Sequence, residues 1–137
     1  MDDQTQEAIA EGKVEGEWIT HFNAEGKGPV QIADLQSLCL QADFEYGAGG
    51  QDLSLFIQTS LDGGRSVVDI AHLKFGKATA RKIVGISCTQ GHGPIGACDL
   101  TLPADTSVNF LGDRIRWVCI ARGTYRDSSI SMSVVPR

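Results

Sequence analysis

Hydrophobic and polar residues alternate with a period of two along most of the chain after Trp18. The clearest case runs from Ser37 to Tyr46, where apolar or aromatic side chains take every second position. Successive side chains of a β-strand point to opposite faces, so this spacing predicts a strand with one buried face, whereas a helix would scatter the same residues around its circumference. Similar patterns predict strands at 53–59, 67–75, 82–88, 97–102, 107–111, 113–122 and 129–135.

Turn residues separate these short strands, and no segment has the apolar stripe of an amphipathic helix. The strands at 53–59 and 67–75 flank Asp62-Gly63-Gly64 and are predicted to pair as a hairpin. The sequence therefore predicts an all-β fold, a β-sandwich or jelly-roll-like arrangement of about eight short antiparallel strands.

Residues 1–17 differ in composition from the rest of the chain. They contain six Asp or Glu, two glycines and only two aliphatic residues besides alanine. Such a segment can bury little apolar surface, so it is predicted to form a flexible acidic arm that hangs free or docks onto a neighbouring subunit. Residues 18–137 are then expected to form a single β-sandwich domain, which their length allows.

The predicted hairpin turn carries a spaced motif, Ser60-x-Asp62-x-Gly64-x-Ser66. It resembles the Asp-box, S/T-x-D-x-G-x-T/S-W, of hairpin turns in sialidases and other β proteins, although Val67 takes the place of the aromatic residue. We interpret it as a turn-building motif rather than a ligand site. The carboxylate is expected to accept turn amides, and the glycine to adopt a left-handed conformation.

Two of the four cysteines, Cys88 and Cys98, flank a nine-residue glycine-rich loop. They are candidates for a disulfide if their strands pair, but a cytosolic protein would keep them as free thiols. With His92 they also offer three zinc ligands, and His72 or Asp99 is a candidate fourth. Their spacing matches no common structural zinc pattern, so neither a metal nor a cofactor is expected.

The formal net charge of −5 is unevenly distributed. Residues 1–70 carry thirteen acidic and three basic residues, and residues 71–137 carry four acidic and nine basic ones. We predict that the basic half contacts the acidic arm of an adjacent protomer, unless the fold interleaves the halves and cancels the asymmetry. Because the chain is acidic and has few aromatic residues, no specific nucleic acid is expected as a partner. The candidate assembly contacts are Arg114, Arg116, Arg122 and Arg126.

The sequence offers no recognisable catalytic set. The three histidines, His21, His72 and His92, are not accompanied by a serine at a strand–helix elbow, and nothing marks an oriented base or an oxyanion site. The chain is therefore not expected to be an enzyme. Its apolar runs are too short for a membrane helix, and its acidic N-terminus is unlike a signal peptide, which favours synthesis in a cytoplasm.

Five segments within about residues 38–135 share a pattern: QADFEYG (41–47), QTSLDGG (58–64), DIA (69–71), LGDRIR (111–116) and GTY (123–125). Together they resemble small virion proteins of tailed bacteriophages. The resemblance implies a non-catalytic β-sandwich that decorates the capsid or forms part of the neck or tail. It also implies synthesis in the host cytoplasm without a signal peptide, location in the virion, other virion proteins as partners and a homo-oligomer.

One alternative function is a small hydrolase, which would need a convergent polar pocket around His72 or His92. The other is a carbohydrate-binding β-sandwich used in adsorption to a host surface. Such a module would present aromatic side chains on one exposed face or hold calcium. The candidate aromatic residues are Trp18, Tyr46, Trp117 and Tyr125, of which Trp117 alternates with apolar neighbours and is expected in the core.

Overall fold

The structure is a computed structural model that describes residues 3–6, 9–24, 28–88 and 98–136. Among these residues, no helix is long and apolar enough to cross a membrane. The only helical element in the described part is a 3₁₀ turn at Ile32–Asp34. The strands are β1 (Asp3–Gln6), β2 (Gly12–Glu15), β3 (His21–Ala24), β4 (Gly28–Gln31), β5 (Ser37–Glu45), β6 (Ala48–Gly49), β7 (Asp52–Ser60), β8 (Val68–Phe75), β9 (Ala80–Ser87), β10 (Thr106–Ser107), β11 (Arg114–Arg122), β12 (Tyr125–Arg126) and β13 (Ser129–Pro136).

Two antiparallel sheets form the body of the protein. One has the strand order β1-β13-β5-β9, and the other has the order β10-β8-β7-β11-β2. The small pairs β12-β6 and β3-β4 lie beside them. Since the inner faces of both sheets contribute to one hydrophobic cluster, the all-β, sandwich-like fold predicted from the alternation is confirmed.

The core forms where the inner faces of β5 and β7 meet. Every second residue of β5 is buried, as are Leu53, Leu55 and Ile57 of β7. One end of this core is aromatic: the ring of Phe44 lies 5.4 Å from Phe75 and 5.3 Å, edge-on, from Tyr125. Burying alternate residues on each strand removes apolar surface from water at about 25 cal/mol per Å², which is the main stabilisation of a sandwich.

Most strand predictions are confirmed, including the hairpin of β7 and β8. The prediction of a strand at 107–111 is wrong beyond Ser107, because the chain curls and the Phe110 N–H bonds back to the Val108 carbonyl. The prediction at 97–102 is also wrong for its described residues. Cys98 makes one bridge to Val68, and a turn follows.

The interpretation of residues 1–17 as a flexible arm is wrong for the described part of that segment. Strand β1 pairs with β13, and β2 pairs with β11 of the same chain. Between them, Ile9 bridges to Tyr125 and is only 2% exposed. Backbone pairing at a sheet edge requires no apolar side chains, so an acidic segment with one core-filling residue is sufficient to form these strands.

Replacing Ile9 by alanine is expected to lower the free energy of unfolding by about 2–4 kcal/mol, because it removes a buried side chain and leaves a cavity. Val14→Ala, on the adjacent strand but 41% exposed, is expected to change it by about 0.5 kcal/mol or less. Equilibrium urea unfolding measures both. Wild-type stability of Ile9→Ala would show that the segment does not pack on the core.

Candidate functional site

Most residues singled out by the sequence lie on or beside the outer face of the five-stranded sheet, the face turned away from the core. Strands β7 and β11 are adjacent there, with Arg114 opposite Ser60 and Arg116 opposite Gln58. The hairpin turn, the arginine-bearing strand and the segment after the glycine-rich loop therefore converge on one surface.

The turn between β7 and β8 is held by its own side chains. The Ser60 hydroxyl accepts the N–H groups of Asp62 (3.3 Å) and Gly64 (2.9 Å) and donates to Asp62 Oδ1 (2.9 Å). Ser66 donates from both its backbone N–H and its hydroxyl to the Asp62 carboxylate, each at 2.7 Å. These bonds, first those from Ser66 and then the one from Ser60, lower the pKa of Asp62 from 3.8 to about 2. All four motif residues therefore serve the turn.

Gly64 of this turn lies against an indole. Its φ is +97°, and a Cβ placed there would lie 2.8 Å from Trp18 Nε1. Trp18 thus covers the turn from a distant part of the chain, whereas the aromatic position of the motif itself is occupied by Val67. Glycine is required at this position both for its conformation and for the space.

A buried carboxylate on β8 fixes the segment that follows the glycine-rich loop. Asp69 is fully buried; its Oδ1 accepts the Leu100 N–H (3.0 Å), and its Oδ2 accepts the N–H groups of Thr101 (2.7 Å) and Leu102 (3.0 Å). These bonds curl the backbone, and Leu100 has a φ of +62°. They are the physical reason why 98–102 does not form the predicted strand.

A bulge in the hairpin brings Asp69 beside Gln58. The pairing shifts register between Ile57 and Gln58, so that Ile70 is an extra residue on β8. Ile70 and Ala71 are both buried in the core, and the shift places Asp69 opposite Gln58. Bulges commonly redirect side chains in this way.

Gln58 extends the polar network across the sheet. Its Nε2 donates to Asp69 Oδ1 (2.8 Å) and to Asp99 Oδ1 (2.7 Å), while its Oε1 accepts from Arg116 Nε (2.9 Å). The Arg116 guanidinium lies 4.6 Å from the Trp18 ring centre and 3.7 Å from a Glu15 oxygen. The network therefore ties β2, β7, β8, β11 and the 98–102 segment together.

A second, apolar cluster lies beside this network on the same outer face. Phe56 stacks on His72 with ring centres 3.9 Å apart, and Val118 and Leu102 are also buried. His72 Nδ1 lies 2.8 Å from the Leu102 carbonyl, which makes it the donor, and Nε2 has no hydrogen-bond partner among the described residues. The cluster and the network together hold 98–102 against the sheet.

The roles of Gln58 and Asp69 were not predicted from the sequence, and His72 was predicted only as a possible zinc ligand. The alternating pattern alone predicts that a polar residue on the outer face of a strand is exposed to solvent. Gln58 and Asp69 are instead covered by segments that are distant along the chain. The available signal was weak: an isolated aspartate preceding the apolar Ile70-Ala71 pair on β8.

Three of the four arginines named as assembly contacts form ion pairs within the chain. Arg122 pairs with Asp52 (3.0 Å), Arg116 lies near Glu15, and Arg114 pairs with Asp113 (2.9 Å), whose carboxylate raises the pKa of Arg114. Antiparallel pairing of β11 with β7 and β2 thus interleaves the basic and acidic halves of the sequence. Arg126 is exposed, and no ion pair involves it among the described residues. Contacts of these arginines with another protomer stay a prediction.

All four cysteines are free thiols in the structure, and Cys88 and Cys98 are both exposed. Burial raises the pKa of the Cys88 thiol and raises that of Cys119 to about 12. A disulfide between Cys88 and Cys98 stays a prediction. The loop between them, including His92, lies outside the described residues. In the part that the structure describes, no three His, Cys, Asp or Glu side chains are placed to hold a metal ion.

The aromatic candidates for a sugar platform have other contacts. Tyr125 is 1% exposed, and its hydroxyl donates to the Gly76 carbonyl at 2.9 Å. The Tyr46 hydroxyl donates to the Gly49 carbonyl, and the Trp117 indole is close to Gly16. Trp18 is half-buried beneath Arg116.

The chain matches no family model, and comparisons with curated proteins and with solved structures find no similar protein. The resemblance to virion proteins therefore stays a prediction from the sequence.

Asp62→Asn is expected to lower the urea midpoint of unfolding at pH 7. The folded-state pKa of Asp62, about 2, lies below the ordinary aspartate value of 3.8, so its stabilisation is present above about pH 4 and is lost as the pH falls through 2. The difference between wild type and variant should therefore shrink from pH 4 to pH 2. Leu61→Ala, in the same turn, is the control; an equal pH dependence in both would contradict the assignment.

Asp69→Ala is expected to lower the free energy of unfolding by more than about 2 kcal/mol, because buried amides lose a charged acceptor. Amide hydrogen exchange at Thr101 and Leu102 should accelerate as well. Asp99→Ala is the matched control, since Asp99 is exposed and accepts the Gln58 bond, and a smaller loss is expected. Similar losses in the two variants would show that the Asp69 anchor is not the main one.

Proposed function

We propose that this chain is a non-enzymatic structural protein of a tailed-bacteriophage particle, a capsid decoration or neck component that stabilises the virion by subunit contacts. Its partners are then other capsid, neck or tail subunits and further copies of itself. The observation that carries the proposal is the outer face of the four-stranded sheet, where exposed apolar side chains are surrounded by polar ones. The resemblance of residues 38–135 to virion proteins supplies the biological setting.

The outer face of the four-stranded sheet carries short side chains along β13 and at Cys39 and Gly85. The longer side chains of Gln41, Asp43, Glu45, Arg81 and Ile83 lie beside them on the same face. Register places Ser133 beside Gln41, and Val135 beside Cys39, which in turn lies beside Gly85. Ser129 and Ser131 continue the row on β13. At the serine, cysteine and glycine positions another protein can approach the backbone closely and bury area with little loss of side-chain entropy.

A small apolar patch lies within the outer face of the four-stranded sheet. It consists of Ile83, 66% exposed, Val135, 37% exposed, and the half-buried Cys39, around a shallow pocket of about 310 Å³. Apolar centres with polar surroundings are typical of protein–protein interfaces. We name this set, Cys39, Ile83 and Val135, the apolar patch.

The opposite sheet contributes rigidity. The side chains of its outer polar network and of the Asp62 turn are bonded within the chain, so the five-stranded sheet rigidly supports the four-stranded sheet and its outer face. A preorganised surface loses little conformational entropy on docking, which suits a protein that reinforces an assembly.

A carbohydrate-binding module used in host-surface adsorption receives less support. Such a site stacks sugars on exposed aromatic rings, but Tyr125 is buried in the core and Trp18 is packed between Gly64 and Arg116. The outer face of the four-stranded sheet instead carries serines, aliphatic side chains and charged residues.

Val135→Arg is expected to reduce incorporation into phage particles at least about tenfold, because it puts a charge in the centre of a dehydrated contact. The measurement is the amount of tagged chain that co-sediments with purified particles from a complemented infection. Leu61→Arg is the control, since Leu61 is 69% exposed in the turn of the other sheet. Absence of wild-type chain from the particles would refute the virion proposal, and full incorporation of Val135→Arg would exclude the apolar patch as the contact.

A further inference from the structure

Strand β9 is the longest edge strand of the sandwich. It has eight residues and pairs with β5 on one side, and it ends the order of its sheet among the described residues. The other edge strands, β1, β2 and β10, have four, four and two residues. Long edges expose unpaired backbone groups, and natural proteins usually keep them short.

The outward backbone groups of β9 can be assigned from one hydrogen bond. The Ser87 N–H donates to Asn109 Oδ1 (3.0 Å), away from β5, whereas the next residue, Cys88, donates to the Gln36 carbonyl on the β5 side. Backbone groups alternate in direction along an antiparallel strand. Arg81, Ile83 and Gly85 therefore direct their N–H and C=O groups outward from the sheet.

The charged residues of β9 do not protect this edge. Arg81 is bound to Asp43, whose pKa this contact lowers, and Lys82 reaches the Lys74 carbonyl and Asp105 Oδ1 (2.7 Å). Residues 83–86 are uncharged, and Ile83 is the second most exposed large hydrophobic residue in the described part. Free basic side chains usually discourage edge pairing, and here both are engaged within the chain.

Space for another strand is present beside β9. A groove of about 340 Å³ lies between residues 82–84 and residues 105–107 at the edge of the other sheet, and the Lys82–Asp105 ion pair joins its two sides. Leu73 and Val84 provide its apolar lining. An added strand would continue the four-stranded sheet and cover this groove.

We propose that a second copy of this chain pairs along β9, antiparallel and about a two-fold axis at Ile83. In this register Ile83 lies opposite the partner's Ile83, Arg81 opposite the partner's Gly85, and Lys82 opposite the partner's Val84. No two like charges face each other, and the most exposed apolar residue of the strand pairs with itself. An isologous contact of this kind requires a self-complementary strand, which the sequence Arg-Lys-Ile-Val-Gly provides.

The dimer would join two four-stranded sheets into one continuous sheet. It would also place the two apolar patches side by side, since each contains Ile83. The role of this dimer in a virion rests on the proposed function. The physical evidence for the dimer itself is the edge of β9, so purified protein can test it separately.

The first experiment is sedimentation velocity over a concentration series. Wild-type protein is expected to dimerise, and Ile83→Arg is expected to weaken the dimer at least about tenfold, because two arginines then face each other. Val135→Arg, in the same patch but on β13, should remain dimeric. A wild-type monomer at all concentrations, or a dimer unaffected by Ile83→Arg, would overturn the proposal.

The second experiment locates the contact. Amide hydrogen exchange by NMR should slow at Ile83 and Gly85 as concentration rises, because their N–H groups become donors across the axis, while Val84 should change little. Protection elsewhere without protection at these amides would indicate a different interface and refute the pairing. Loss of particle incorporation in Val135→Arg with its dimer intact would separate the virion contact from the β9 contact.

Discussion

A buried carboxylate requires hydrogen-bond donors, and meeting this requirement at Asp69 organises the five-stranded sheet. An unpaired charge in this position would be prohibitively unfavourable, so the fold directs three backbone amides and the Gln58 amide to it. The amides come from 100–102, which fixes that segment. Gln58 in turn orients Arg116, and the chain of contacts reaches Trp18. The Asp62 turn lies at the end of the same hairpin.

The charge asymmetry of the sequence has a structural resolution. Antiparallel sheets pair segments that are distant along the chain, and β11 from the basic half lies between β7 and β2 from the acidic half. Arg122 therefore meets Asp52, and Arg116 meets Glu15. The charge asymmetry, which suggested complementary subunits, is thus largely balanced by ion pairs within the chain, most of them exposed and individually weak.

Periodicity predicted the long strands because one face of each packs on the core, as in β5. It could not predict that Gln58 and Asp69 are buried on the outer face. The residues that bond to Gln58 there, Asp99 and Arg116, are 41 and 58 positions away from it along the chain. It also misjudged 97–102, where a single carboxylate overrides the alternation. The strands of the N-terminal segment were not predicted for another reason. They depend on backbone pairing, which leaves no hydrophobic pattern in the sequence.

The edges of the two sheets follow from how this N-terminal segment is used. By pairing β1 with β13 and β2 with β11, the first residues of the chain cover one edge of each sheet, and Ile9 packs into the core between them. The short β10 covers β8 on the other side of the five-stranded sheet. In the described part of the chain, β9 is the one long edge strand that no other strand covers, and of its outward groups the Ser87 N–H is bonded to Asn109. An acidic segment poor in apolar residues is sufficient to cover a sheet edge. The edge of β9 is exposed because no strand of the described chain pairs there. A second copy of β9 would satisfy its outward backbone groups without any additional segment.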